Sequence, residues 1–400
     1  MENLLLHLVN TGLALWLFWE TMPLAAAALA AALFALHPIQ AEAVSLAAGR
    51  PELLATCFAL LSAQAWRRRR HWLAALCFLV SLLGGPAAAA LPIFFALVEA
   101  SYGARRQGGV AALITMSALS SAALFRFAWA HPAADGLDRF LDAGPVFGHF
   151  TRLLVLPAGL SIWPEVNQSA AARFAAWMLL ALLAGAALSA FNRLRLGFWF
   201  LAGLVLLAPS FALFSGPEAA ADRRLYLPML AIAAVAGRIL ESTHFPPLLP
   251  AAVALLAGLT VARSGVWQSQ QALWEEAAQE SPGQLRPRLE LARLATPRRA
   301  LELLLEAKAA HPNEPRVAAQ LGATYLALHL PSDAVQEFGR GLGLTPGSAE
   351  LHLGRGQALA ELQLNDAALT DFEKALALNP CSAAARAALH LRPLAECARE

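Results

Sequence analysis

Two short stretches hold the residues most able to do chemistry. The first is His37–Glu52, His-Pro-Ile-Gln-Ala-Glu-Ala-Val-Ser-Leu-Ala-Ala-Gly-Arg-Pro-Glu, where His37, Glu42, Arg50 and Glu52 interrupt an apolar run that is uncharged from Met22 to Leu36 and again from Leu53 to Trp66. The second is Ala221-Asp-Arg-Arg-Leu-Tyr-Leu-Pro228, with Arg223, Arg224 and Tyr226. Ionisable groups among apolar residues are costly to keep there, and they mark polar cavities or pathways. Arginine's planar fork suits phosphate. Each stretch also has a plain structural explanation. Glu42 and Arg50, eight apart, share a face two turns apart on a continuous helix, and an ordinary inter-helix loop with a stabilising ion pair is the plainer reading. Asp222 can neutralise one arginine, and Tyr226 can be an interface residue.

The elements around these stretches follow from prolines and apolar runs. Pro38 and Pro51 bias His37 and Arg50 away from helical backbone. This predicts a helix ending near Leu36, a polar connection of about two helical turns, and a second helix from near Glu52. The chain of 400 residues is 58% hydrophobic and 14% charged, against about 25% charged in a soluble domain. The apolar excess fills residues 1–262 in about ten runs, from 4–19 to 247–262. The expected fold is all-α: a polytopic helical membrane bundle over 1–262, an amphipathic linker helix over 263–282 carrying Trp267 and Trp274 on one face, and a repeat domain over 283–400. With ten spans, Arg67–Arg70, Arg105–Arg106, Arg193/Arg195 and Arg238 share one side, cytoplasmic by the positive-inside rule. His37–Glu52, the loop at 215–225, the C-terminus and Met1 then lie outside. Such a start implies an upstream span absent from this chain. In the long outer loop, Gly136–Asp142 and Val146–Pro157 read as short interfacial helices, closed by Trp163 and Glu165.

The tail is a repeat. Pro312, Pro346 and Pro380 recur every 34 residues, as do Ala300, Ala334 and Ala368, then Leu304, Phe338 and Phe372, with Gly322 and Gly356 at the same spacing. This is the period and the Ala-x3-Phe…Pro pattern of tetratricopeptide repeats. Small residues sit where paired helices cross, the aromatic fills the gap, and the proline ends the second helix. Two good repeats follow a degenerate one, with Ala383–Leu391 as an end cap. Such arrays bind proteins or peptides along a concave face. Of four cysteines, Cys57 and Cys77 read as packing residues, and Cys381 and Cys397 can pair outside the cytoplasm. No CxxC or His/Cys cluster points to a metal or another cofactor.

Taken together, His37-Pro-Ile-x-x-Glu-Ala-Val44 with Gly49-Arg-Pro-Glu-Leu-Leu-Ala55, Asp222-Arg-x-Leu-Tyr-Leu-Pro228 and the repeats resemble the transmembrane-and-TPR O-mannosyltransferase family, GT-C-type membrane glycosyltransferases. The resemblance implies transfer of a sugar from a polyprenyl-phosphate donor to a protein hydroxyl outside the cytoplasm. It implies that Arg50 and Arg223 meet the lipid phosphate, that His37, Glu42 and Tyr226 shape the polar cavity, and that the repeats bring in the acceptor protein. His7 and Asn10 match the family's second span, which places the general base upstream of Met1 and predicts no transfer by this chain alone. The need for a divalent metal stays open. The implied location is a bacterial inner membrane with the repeats in the periplasm. The second reading is a non-catalytic, membrane-anchored repeat scaffold that recruits periplasmic partners. A transporter is the weaker third, since no inverted repeat is visible.

Overall fold

The computed structural model describes residues 2–84, 86–102, 107–130, 136–191, 195–212, 220–243 and 248–390, and every regular element among them is helical. The chain divides into two units, Met1–Leu273 and Trp274–Glu400.

The first unit contains α1 (Glu2–Trp19), α2 (Leu24–Leu36), α3 (Gln40–Ser45), α4 (Arg50–Arg67), α5 (His71–Gly84), α6 (Leu91–Tyr102), α7 (Gln107–Ala130), α8 (Gly136–Val155), α9 (Ala170–Phe191), α10 (Arg195–Ala212), α11 (Met229–Thr243) and α12 (Leu248–Val266). Alanine-rich α2 starts after Pro23 and stops at His37, which Pro38 holds extended at φ −75°, ψ 128°. α4 accepts Pro51 because the first turn of a helix has no partner for that N–H. It ends just before Arg69, at φ 60°. Between α2 and α4 the backbone is not one helix. α3 stops at Ser45, Leu46 is extended, and a 3-10 turn over Ala47–Gly49 leads into α4. Glu42 and Arg50 therefore do not share a helix face. Glycine is required at 49, because a Cβ there would lie 2.3 Å from the Ala43 carbonyl oxygen. The core is aromatic: Phe18, Phe34, Trp66, Phe78, Phe95 and Tyr226 are all fully buried, with Trp66 stacked on Phe95 at 4.8 Å.

The expected bundle of about ten spans is not found. Among the described residues two helical stretches, Gly109–Arg126 and Ala170–Phe191, are long and apolar enough to cross a membrane. A third counts only if Ala251–Val266 and Gln270–Glu280 form one broken span. Five further apolar stretches among the described residues have at most 17 residues. α2 has 13 residues and α5 has 14, which at 1.5 Å per residue gives about 20 Å against a hydrocarbon core of about 30 Å. The sidedness drawn from the arginine clusters rested on ten crossings and falls with that count. Arg105, Arg106 and Arg193 lie outside the described residues. Several helices nonetheless carry apolar faces that the unit does not cover, such as Trp72, Leu76 and Leu83 on α5.

Two smaller expectations also change. The two interfacial helices at Gly136–Asp142 and Val146–Pro157 are one helix, α8, running through Pro145. α13 (Gln270–Glu280) begins after a turn that holds Trp267, so Trp267 and Trp274 do not share one helix.

The second unit contains α14 (Leu285–Leu294), α15 (Pro297–Ala310), α16 (Pro315–Ala327), α17 (Pro331–Leu344), α18 (Ala349–Glu361), α19 (Asn365–Leu378) and α20 (Ala383–Ala388). The 34-residue period is built into the caps as well as the core. Glu314, Ser348 and Ser382 stand at that spacing and cap α16, α18 and α20 by accepting from main-chain N–H groups. His329 and Gln363, also 34 apart, take left-handed backbone at φ 59° and 61°. Each closes its helix with a six-residue turn: Leu330 N–H donates to Tyr325 O, and Leu364 N–H to Leu359 O, both at 2.9 Å. Glycine usually occupies such a position, so this part of the period is invisible to a search for glycines. Helices pack pairwise as α14 with α15, α16 with α17 and α18 with α19, and the first helices of successive pairs lie side by side.

Candidate functional site

In the first unit, His37 ends α2. It is buried, and its Nδ1 accepts from the Ile39 N–H at 3.3 Å. Burial holds its imidazole down at about 4. Glu42 on α3 is 2% exposed and grips Arg223: the Arg223 guanidinium donates to Oε1 at 2.6 Å and the Arg223 main-chain N–H donates to Oε2 at 3.1 Å. Arg223 also faces Glu52 at 3.7 Å. Burial, the strongest influence, pushes the Glu42 carboxyl up against the opposing pull of Arg223. Burial pushes Glu52 up as well. Tyr226 is fully buried, its hydroxyl 2.7 Å from His7 Nδ1 and accepting from Asn10 Nδ2 at 3.3 Å. The Asn10 amide also donates to Leu53 O at 2.9 Å.

Arg50 stands apart from this network. It pairs with Glu2 at 2.8 Å on the surface and donates to Asn3 Oδ1 at 3.3 Å. The structure thus brings Glu42, Glu52 and Arg223 together, sets Tyr226 with His7 and Asn10, and leaves Arg50 on another face. Glu42 and Glu52, both far from Arg223 in sequence, stand at its guanidinium. These contacts tie α1, α3 and α4 to the 3-10 turn Asp222–Leu225. Spacing could not reveal them, since the partners are up to 219 residues apart.

In the second unit the signature residues form a steric interlock. A Cβ at Gly322 would come within 2.7 Å of the Phe338 ring, and one at Gly354 within 2.4 Å of the same ring. Gly356 holds Phe372 in the same way at 2.7 Å. Ala334 and Ala368 are buried at the helix crossings. Pro346 and Pro380 follow the ends of α17 and α19 by two residues.

The third repeat then departs from the pattern. Where the second has Ala318-x2-Leu321-Gly322, it has His352-x2-Arg355-Gly356. Asp371 on α19 is buried beneath that pair: His352 Nδ1 lies 2.8 Å from Oδ1, and Arg355 donates to Oδ2 at 2.7 Å and to Oδ1 at 2.9 Å. Burial alone would raise the Asp371 carboxyl. The hydrogen bonds from Arg355 and His352 outweigh it and hold the group below the ordinary aspartate value. Over this cluster lies an open groove of about 450 Å³ lined by Leu342, Pro346, His352, Arg355, Lys374, Ala377 and Leu378. The sequence signal for it was the loss of the apolar residues at 352 and 355 from a repeat that otherwise keeps its glycine, alanine, aromatic and proline. Among the described residues no group of three or more His, Cys, Asp and Glu could hold a metal ion. Cys397 lies outside the described residues, so its pairing with Cys381 is not described.

No known protein family matches the chain, and no curated protein matches it. It is similar in structure to MamA, at 16% identity over 33% of this chain and 80% of that one, with a TM-score of 0.29. A second MamA structure is 24% identical over 32% of this chain and 77% of that one, with a TM-score of 0.26. YrrB, described as a TPR protein with an unusual peptide-binding site, is 17% identical over 60% of this chain and 98% of that one, with a TM-score of 0.30. No family model and no curated protein supports the resemblance to membrane O-mannosyltransferases, and the solved structures named above are of other proteins. The GT-C-type transfer chemistry goes with it, as does the polyprenyl-phosphate sugar partner. The multi-pass inner-membrane placement fails with the ten-span bundle.

Proposed function

We propose that the chain is a non-catalytic scaffold that holds a protein segment on its helical repeats. The observation that carries this reading is the interlock of Gly322, Phe338 and Gly354 with its 34-residue echo in Gly356 and Phe372. A stack built by one repeated contact presents a continuous surface wider than any single helix pair, and such surfaces serve peptide and protein recognition. Selection of random 12-residue peptides on the immobilised intact chain tests this. Enriched peptides should bind the wild-type chain in solution and lose affinity for Phe338→Ala, which loosens the stack. Enrichment no better than on an unrelated helical protein would overturn the reading.

A further inference from the structure

Glu337 and Asp371 occupy the same register, 34 residues apart, and both are buried. Their cations come from different places. Glu337 takes Lys308 from the preceding repeat and Arg340 from its own helix. Asp371 takes His352 and Arg355 from the paired helix α18. Lys374 is the positional equivalent of Arg340 and is therefore released. It is exposed, makes no ion pair among the described residues, and lines the groove. Arg355 spends Nε and one η nitrogen on Asp371 and keeps further donors of its five. The rest of the lining is aliphatic, with Leu342, Pro346, Ala377 and Leu378, the last two on the same helix face as Lys374. In the second repeat the positions of His352 and Arg355 are filled by Ala318 and Leu321, both fully buried.

We infer that this groove takes an extended peptide segment bearing carboxylates beside an aliphatic side chain. The inference rests on the peptide-binding reading and narrows it to one face and one chemistry. A carboxylate meets Lys374 and the outer edge of Arg355, where charge-assisted hydrogen bonds are the strong ones. The neighbouring aliphatic residue covers Leu378 and Ala377. Asp371 plays no part in binding the segment; it fixes the Arg355 fork so that little freedom is lost on association.

Fluorescence anisotropy on the intact chain tests this, using an acetylated peptide of alternating glutamate and leucine and its lysine–leucine counterpart. The acidic peptide should bind and the basic one should not, with affinity falling as salt rises. Lys374→Glu and Leu378→Asp, both at exposed positions, should each weaken binding about tenfold. Gln357→Ala, exposed elsewhere on α18, should leave it unchanged. Equal affinity of Lys374→Glu and wild type, or equal affinity for both peptides, overturns the inference. So does self-association of the chain that Lys374→Glu abolishes, which would put a second copy in the groove. If peptides from random selection bind while the glutamate–leucine peptide does not, the groove assignment fails and the scaffold reading stands. If no peptide binds at all, the scaffold reading itself fails.

Discussion

The two units hold their helices together by opposite means. In the first, the junction around α3 depends on contacts that occur once and join distant residues: His7 with Tyr226, 219 apart, and Glu42 with Arg223, 181 apart. In the second, Phe338 meets glycines 16 residues before and after it, and a related contact returns one period later. The contrast concerns robustness as much as reach. A buried aromatic keeps its favourable burial whatever its neighbours' charge, whereas a buried carboxylate is tolerable only while its partner stays in place.

The largest effect should come from the interlock. Phe338→Ala removes a ring held between two glycines that cannot move in to fill the space, and a cost of about 3–5 kcal/mol is expected. Hydrogen exchange on peptides from α16 to α18 should report it as lost protection confined to the second unit. Phe372→Ala should cost less, because among the described residues its ring closes against one glycine instead of two. Equal costs would mean that the second glycine contact adds nothing.

Next comes the ionic junction. Arg223→Met leaves Glu42 buried without its guanidinium, and a loss on the order of 3 kcal/mol is expected. The upward push on the Glu42 carboxyl limits that loss, since the group can take a proton instead. Adding Glu42→Gln to the same chain should recover part of the stability. A double-mutant cycle followed by hydrogen exchange in α3 measures the coupling, and strictly additive losses would show that the pair does not act as a unit.

These contrasts explain what could be read in advance. The repeats were legible because each stabilising contact leaves a residue at a fixed spacing, as Ala334, Phe338 and Pro346 do. The end of α2 was legible because Pro38 holds His37 extended, whereas Arg50 before Pro51 is helical at φ −58°, ψ −41°, and Pro51 marks the first turn of α4 instead. The Glu42–Arg223 pair was not, because nothing in either stretch names the other. Its neighbour in sequence, Asp222, was the more obvious partner. The membrane bundle was misjudged for a different reason. Apolar composition runs continuously through residues 22–36 and 53–66, but helix length is set by the prolines and turns between them, and α2 stops at 13 residues. His352 and Arg355 were overlooked because a repeat is recognised by the positions it keeps, while this groove is made by two that it changed.

Acid separates the units with a smaller effect. Glu42 and Glu52 have carboxyls raised by burial, so the folded chain holds protons at a pH where the unfolded chain has lost them. Their contribution is fully present below the unfolded value and fades as pH rises through the folded one. Asp371 is lowered, so its contribution is present above the unfolded value of about 3.9 and fades as pH falls through the folded one. Going down from neutral pH, the α3 junction should gain protection first while α18 and α19 stay unchanged. Below about pH 4 the third repeat should loosen. Hydrogen exchange corrected for intrinsic rates, on peptides from each unit, checks the order. Early loosening of α18 would show that burial, not the hydrogen bonds, governs Asp371.

The smallest effect belongs to Arg50, and it gives the sharpest contrast with Arg223. Both arginines pair with a glutamate at under 3 Å, Arg50 at the start of α4 and Arg223 within the 3-10 turn Asp222–Leu225. Their surroundings differ: the Arg50 and Glu2 side chains are 49% and 75% exposed, against 16% and 2% for Arg223 and Glu42. Water screens the first pair and satisfies either partner alone, so Arg50→Ala should cost less than about 0.5 kcal/mol. The same experiment in high salt should leave wild type and Arg50→Ala indistinguishable while the Arg223→Met deficit persists, because a buried pair lies beyond the reach of screening ions. A deficit at Arg50 as large as that at Arg223 would mean that its bond to Asn3, and through Asn3 to the Leu46 carbonyl, organises the turn into α4. The first unit would then rest on a network that extends to its surface, and burial would no longer be what distinguishes the two arginines.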